Sequence, residues 1–300
     1  MTTADAYAAA INLHEPFVPT TPESGVSPAQ ARREVFEWLL AEHDGSVGSV
    51  PADGVDSDVQ IRNLLTIRRP GGIPPRVHAR LDVILGEHAC ARGSVAASEV
   101  MAGPGLRAVV DSTPMKVWRG DITRLSVDAI VNAANAALLG CFRPGHTCID
   151  NAIHSAAGPR LRQDCARIIE IQGHAERSGD AKITRAYHLP SRFVLHTVGP
   201  IVGGGRVRPN DERTLVSAYR SCLELAAATP PIRSVAFCAI STGVFGYPKD
   251  GAAHVAVRSV SRWLRERPKT FDLIVFCVFS DADERAYGQA MAAGEEDSVA

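Results

Sequence analysis

From Met115 onward the chain alternates short apolar runs with helix-period segments, and no other feature constrains its fold as much. MKVWRG reads as a strand ending at Gly120, and DAIVNAAN as a buried strand with polar residues at its exit. IDNAIHSAAGPRLRQDCARIIEIQG carries a helical period interrupted near Gly158-Pro159. Strands follow at AKITRAYHL and RFVLHTVG, then a helix at NDERTLVSAYRSCLELAAA, with Asn210 expected as N-cap and acidic residues in its first turn. The last section reads as strand (SVAFCAI), glycine loop (STGVFGYPKDG), helix (AAHVAVRSVSRWLRER), strand (DLIVFCVF) and helix (DADERAYGQAMAA). Repeated strand-to-helix crossovers lay helices on both faces of a largely parallel sheet, which is an α/β/α sandwich. Ligands of such sheets bind beyond the carboxyl ends of the strands.

Upstream the pattern differs. Residues 1–26 carry Pro16, Pro19 and Pro22 among Thr, Glu and Ser, and predict a surface arm. Ser27-Pro28 opens a helix with Val35, Phe36, Leu39 and Leu40 at helical spacing, and Gly45 to Gly54 reads as a loop. Further helices are expected at VQIRNLLTIRR, broken at Pro70-Gly71-Gly72, and at PRVHARLDVILGEHACARG. Residues 27–103 are therefore expected to form a small helical extension packed on the main domain, with no chemistry of its own.

A formal net charge of -1 supplies no global field for nucleic acid or anionic lipid, so an anionic ligand needs a local cradle, and sequence-specific nucleic-acid binding is not expected. The N-terminus lacks the basic and apolar regions of a signal peptide, and no run approaches a membrane span, so no membrane partner is expected. Seven cysteines without a disulfide-scaffold density point to a reducing compartment, and the expected location is cytoplasmic.

Chemistry concentrates in GCFRPGHTCIDNAIHSAAG, from Gly140 to Gly158. Cys141, His146 and Cys148 are donors of the kind that bind zinc, and three protein ligands leave one tetrahedral position open, although interior thiols beside a surface His would give the same letters. A helix beginning near Cys148 would put Asp150 and His154 on one face and favour a thiolate at Cys148. Cys165, 17 positions beyond Cys148 in the sequence, is too far along an unbroken helix to close the set, unless the chain bends at Pro159. Three polar loops follow strands: GDIT at 120–123, NAAN at 132–135 and STGVFG at 241–246. The last suits a phosphate cradle of backbone N–H groups, or a plain glycine turn; it is neither a P-loop nor a GxGxxG fingerprint. Asp121 suits either a hydrogen bond from an exocyclic amine or a cap on the following turn.

GDIT, VDAIVNAAN, DNAIHSAAG, HTVGP and ISTGVFGYP, in that order and spacing, resemble a macrodomain, the ADP-ribose-binding fold, over roughly residues 104–295. GCFRPGHTCIDN resembles the zinc-containing branch, as does the helical extension with IRNLLTIRRPGGIP. The resemblance implies a three-layer α/β/α sandwich with a mixed, largely parallel sheet, preceded by the helical extension. It implies that Asp121 recognises adenine, with Ile122 contributing backbone there. Ser241, Thr242, Gly243, Val244, Phe245 and Gly246 would hold the pyrophosphate, with Phe245 flanking the distal sugar. Asn135 would sit at the distal ribose and act with Asp150 in catalysis, while His154 packs or supports the loop. Phe279 is a second candidate adenine neighbour, with an interior position as the alternative. The chain lacks GGGGVDG, the usual glycine run of the family, and a zinc ion (Zn2+) at Cys141, His146 and Cys148 would take over part of the chemistry. The activity implied is zinc-dependent removal of mono-ADP-ribose from proteins. The alternatives are a non-catalytic reader of ADP-ribosylated protein and hydrolysis of a free metabolite such as O-acetyl-ADP-ribose. Zinc deaminases and zincins are disfavoured, since neither H-x-E with P-C-x-x-C nor H-E-x-x-H is present.

Overall fold

The computed structural model describes residues 3–21, 25–43 and 55–296. Pro22 of the expected arm and the expected loop from Gly45 to Gly54 lie outside the described residues.

The N-terminal segment corrects the reading of a surface arm. Asp5–Ala8 forms a short helix (α1) that runs into a 3-10 turn at Ala9–Ile11, and Tyr7, Ile11 and Leu13 are buried in the main core. Each such side chain contributes roughly 1.5 to 3 kcal/mol on burial. Pro16 and Pro19 fall beyond the helical residues, so they do not prevent the helix.

The extension follows as α2 (Pro28–Glu42), α3 (Val55–Ile67) and α4 (Pro75–Arg92). Ser27 Oγ accepts the Gln30 N–H at 3.2 Å, and Pro28 takes the first helical position, where its missing N–H costs nothing. Val35, Phe36 and Leu39 of α2 meet Ile61, Leu64, Leu81, Ile84 and Leu85 in a cluster separate from the main core. A two-residue strand, Val95–Ala96 (β1), and a short helix, Ala97–Ala102 (α5), lead into the sheet.

The sheet comprises β2 (Arg107–Val110), β3 (Thr113–Arg119), β5 (Ala129–Ala133), β6 (Ala181–Arg185), β7 (Phe193–Thr197), β8 (Ser234–Phe237) and β9 (Leu273–Val278), while Leu125–Ser126 (β4) pairs with β1. Its order is β2-β3-β9-β8-β5-β7-β6, parallel throughout except at the antiparallel edges β2 and β6. β7 and β9 are buried at every position, as expected of strands covered on both faces. Around the sheet lie α6 (Ile149–Ala157), α7 (Pro159–Gln172), α8 (Pro209–Ala227), α9 (Lys249–Glu266) and α10 (Asp281–Glu296). α8, α9 and α10 pack on one another, and the extension helices α3 and α4 contact α6. The architecture is the three-layer α/β/α sandwich with a small helical extension.

One boundary differs in detail and another falls where it was expected. Arg208, not Asn210, is the N-cap of α8: Pro209 supplies the first helical φ, and Asp211 Oδ2 accepts the Arg208 N–H at 2.8 Å. α6 and α7 part at Gly158, whose φ of 90° favours glycine and where a Cβ would come within 2.5 Å of Leu85 Cδ1 of α4.

Candidate active site

The turn after β5 and the start of α6 bring Cys141, His146 and Cys148 together, with their ligand atoms within 4.8 Å of one another. Cys141 Sγ lies 3.4 Å from His146 Nδ1 and accepts the Arg143 N–H at 3.4 Å. Cys148 caps α6, its Sγ accepting the Asn151 N–H at 3.4 Å, and the Asn151 amide donates to His146 O at 2.8 Å. Two thiols and an imidazole converging in this way fit a tetrahedral zinc with one position open. The expected thiolate at Cys148 needs correction. Burial pushes that thiol up to about 11, against the pull of the Asn151 N–H and with Cys141 adding to the rise. Burial outweighs the helix start here; a coordinated divalent cation would reverse the balance, because a coordinating thiol loses its proton.

Beneath this loop sits a carboxamide and carboxylate cluster. Asp150 is buried, with Oδ1 accepting from Asn132 Nδ2 at 2.8 Å and Oδ2 from Asn135 Nδ2 at 3.3 Å. Asn135 Nδ2 also donates to Gly140 O at 3.0 Å, linking the NAAN turn to the first residue of the cysteine loop. Burial raises the Asp150 carboxyl to about 6, opposed by the Asn132 hydrogen bond and by Arg162. Arg162 is a site neighbour that the sequence reading missed. Asn132 was read as the first residue of the NAAN loop, whereas it lies within β5 and its amide reaches Asp150.

His154 Nε2 lies 3.5 Å from Asp150 Oδ1, the arrangement expected from their spacing. Burial holds its pKa well below the ordinary value, so the imidazole stays neutral. A Cβ on Gly140, whose φ is 75°, would stand 2.9 Å from the His154 ring, so the loop backbone passes directly over it. His154 also groups with Cys165 and His196, all buried. There His196 Nε2 is engaged by Thr184 Oγ1 at 3.0 Å, and His196 Nδ1 lies 3.2 Å from Asn132 Nδ2. Cys165 belongs to this interior set, 3.7 Å from His196 Nε2, and does not join the cysteine loop.

Asp121 follows β3 and caps the 3-10 turn Ile122–Arg124, its Oδ1 accepting from Thr123 N at 2.9 Å and Thr123 Oγ1 at 2.7 Å. Ile122 is buried behind it. Gly120 N donates to Val278 O at 3.0 Å, so the ends of β3 and β9 are adjacent. Phe279, immediately after β9, is 83% exposed; the interior alternative for this ring is wrong.

The segment 241–246 joins β8 to α9. Ser241 (φ 67°) and Gly246 (φ 70°) turn the chain, Gly246 N–H donates to Gly243 O, and Val202 N–H donates to Phe245 O at 2.7 Å. Thr242 Oγ1 turns inward to Ala239 O at 3.0 Å. Ser241 Oγ is buried without a partner among the described residues, and a Cβ on Gly199 would come within 2.0 Å of it. Val244 is exposed at the tip, and the N–H groups of Gly243, Val244 and Phe245 have no backbone partner among the described residues.

The profile described as "Macro domain" matches residues 131–256. A Treponema medium protein named protein-ADP-ribose hydrolase is 41% identical over 273 residues, spanning 87% of this chain and 99% of that protein. The chain belongs to the macro domain family. A Staphylococcus aureus protein-ADP-ribose hydrolase (strain MSSA476) is 50% identical over 174 residues, which are 58% of this chain and 65% of that protein. Among solved structures, the Oceanobacillus iheyensis macrodomain with ADP superposes with a TM-score of 0.58 at 35% identity, covering 64% of this chain and 97% of that one. The Trypanosoma brucei macrodomain in complex with ADP-ribose gives 0.56 at 27% identity, covering 80% and 96%. In this macro domain the candidate residues form a row in sheet order: Asp121 after β3, Phe279 after β9, 241–246 after β8 and Asn135 after β5. Three strand steps of about 4.8 Å separate the ends of the row by about 14 Å.

Proposed function

We propose that this macro domain hydrolyses mono-ADP-ribose from modified proteins, using zinc held by Cys141, His146 and Cys148. The observation that carries the reading is the row of polar loops along the carboxyl edge of the sheet. Its length and order suit an extended ligand with adenine at Asp121, pyrophosphate at 241–246 and the distal ribose at Asn135. Capping Thr123 occupies Asp121 Oδ1, and a carboxylate has a second oxygen to receive an exocyclic amine. Phe279 offers an exposed ring beside it for stacking. The backbone N–H groups of Gly243, Val244 and Phe245 face no competing backbone acceptor among the described residues and are suited to phosphate oxygens. Relatives named as protein-ADP-ribose hydrolases support hydrolysis over mere binding.

At the distal end, Asn135 bridges Gly140 O and Asp150, so ribose recognition and the cysteine loop share one amide. Asp150 fixes that amide, and Asn132 fixes Asp150. When bound, zinc would supply Lewis-acid charge for the scissile ribose linkage. The contacts at Asp121, 241–246 and Asn135 would hold the distal ribose in one orientation. We place the protein in the cytoplasm: its cysteines are free thiols, and no described helix is long and apolar enough to cross a membrane.

The test is incubation with proteins mono-ADP-ribosylated through Asp/Glu, Ser or Arg linkages, with and without chelator. Chelator-sensitive release of ADP-ribose from at least one linkage is the expected result. Tight binding without release from any of them would make the protein a reader.

A further inference from the structure

The cysteine loop is gripped from outside the macro domain core. Phe142, between Cys141 and His146, has its ring flanked by two guanidinium groups, Arg69 at 4.5 Å and Arg162 at 4.6 Å from the centroid. Arg162 belongs to α7, whereas Arg69 belongs to the segment joining α3 to α4 in the extension. Both segments are fixed in place. Arg162 Nη1 donates to the carbonyls of Leu65, Thr66 and Arg68 at 2.8, 3.1 and 2.7 Å, satisfying backbone groups that the end of α3 leaves unpaired. Beside Arg69, Arg68 is fixed by Glu42 at 2.6 Å and by Gly72 O at 3.0 Å, and Gln163 Nε2 reaches Gly71 O at 2.8 Å. The faces of an aromatic ring carry the negative lobes of its quadrupole, so two guanidinium groups this close to the ring attract it and hold it in place.

The loop needs such an anchor. Arg143, Pro144 and Gly145 are exposed; Asn135 holds Gly140 O at one end and Asn151 holds His146 O and Cys148 Sγ at the other, and between them the loop is tied by bonds among its own members, Arg143 N to Cys141 Sγ and His146 N to Arg143 O. A loop ordered only when metal arrives would spend part of its binding free energy on ordering, and a preformed one does not. We propose that Arg69 and Arg162 clamp Phe142 so that Cys141 and His146 stand ready to ligate zinc, making the extension part of the metal centre. This rests on the metal reading above and deepens it: all three are positioning residues, acting through the ligands.

The test uses the full chain as Phe142→Leu, Phe142→Tyr and Arg69→Ala, with zinc affinity measured by competition against a chromophoric chelator. Loss of a supporting contact to a metal ligand typically costs about 10- to 100-fold in affinity, which is the drop expected for Phe142→Leu. Arg69→Ala should lower affinity in the same direction, and Phe142→Tyr, which keeps the ring, should stay near wild type. Amide exchange at His146 in the metal-free protein should be faster in Phe142→Leu than in wild type or Phe142→Tyr. Should Phe142→Leu fail to fold, the exposed Arg69 carries the test. Unchanged zinc affinity in Phe142→Leu and Arg69→Ala beside a zinc-loaded wild type would overturn the clamp alone. Equal losses in Phe142→Leu and Phe142→Tyr would also overturn it. A wild type that takes up no zinc would overturn the metal reading and the clamp together.

Discussion

Asp121 caps Thr123 with one carboxylate oxygen, and the proposed adenine contact falls to the other. Removing the side chain deletes the cap on Thr123 and the proposed acceptor for adenine together. Asp121→Ala should weaken ADP-ribose binding by about 1 to 3 kcal/mol, the cost of a lost hydrogen bond that leaves a ligand donor unpaired. Calorimetry on the folded variant checks it, and unchanged affinity would place adenine elsewhere. The convergence of Cys141, His146 and Cys148 was legible because all three lie within one short loop and are residue types that zinc takes as ligands. Asn132 was not, since its partner Asp150 is 18 positions away in sequence and only the packing of α6 over β5 brings them to 2.8 Å. Phe279 was left with two readings for a related reason: an aromatic at the end of a fully buried strand looks interior until the strand's last residue is known to be Val278.

Among elements, the strands were legible because burial on both faces leaves a continuous apolar run, and the helices because a single buried face leaves a 3.6-residue period. The edges escaped. β2 has only four residues with alternating exposure, and α1 was hidden by the prolines that follow it. α1 nonetheless covers an edge of the sheet, because Tyr7 Oη accepts the Ile183 N–H at 3.0 Å and so satisfies a backbone donor of the edge strand β6. Tyr7→Phe keeps the buried ring and leaves that donor unsatisfied, so chemical denaturation should show a loss of about 1 to 3 kcal/mol. Amide exchange at Ile183 should quicken in parallel, and equal stability of the two proteins would mean that the edge needs no cap.

For the molecule as a whole, the extension was legible as a helical unit with its own apolar cluster, but its involvement in the site was not. The contacts of Arg162 and Arg69 with Phe142 join segments far apart in sequence, and no local periodicity reports them. A second joint lies at Asp82 of α4, which accepts from Arg160 of α7, from His188 Nε2 at 2.9 Å and from Thr20 N at 2.7 Å. These partners hold the Asp82 carboxyl well below the usual carboxylate range despite its burial. A depressed carboxyl pKa contributes stability that is fully present above the unfolded value of about 4 and is lost as pH falls toward the folded one. Melting temperature should therefore drop on acidification below about pH 4 in the wild type, and less steeply in Asp82→Asn, which starts lower at neutral pH. Parallel acid limbs in the two proteins would show that this joint is not the acid-sensitive one.

In the proposed function, binding and hydrolysis use different parts of the molecule, with the nucleotide held at Asp121 and 241–246 and the reaction performed beside His146. Interactions made equally in the ground and transition states set affinity, while those made only in the transition state set turnover. The most direct measurement compares wild type and His146→Ala for ADP-ribose affinity, thermal stability and single-turnover release of ADP-ribose from a mono-ADP-ribosylated protein. The account predicts retained affinity and stability, with release slowed by orders of magnitude. Release at the wild-type rate from His146→Ala would contradict it, and collapse of all three quantities together would assign the cysteine loop to folding instead of catalysis.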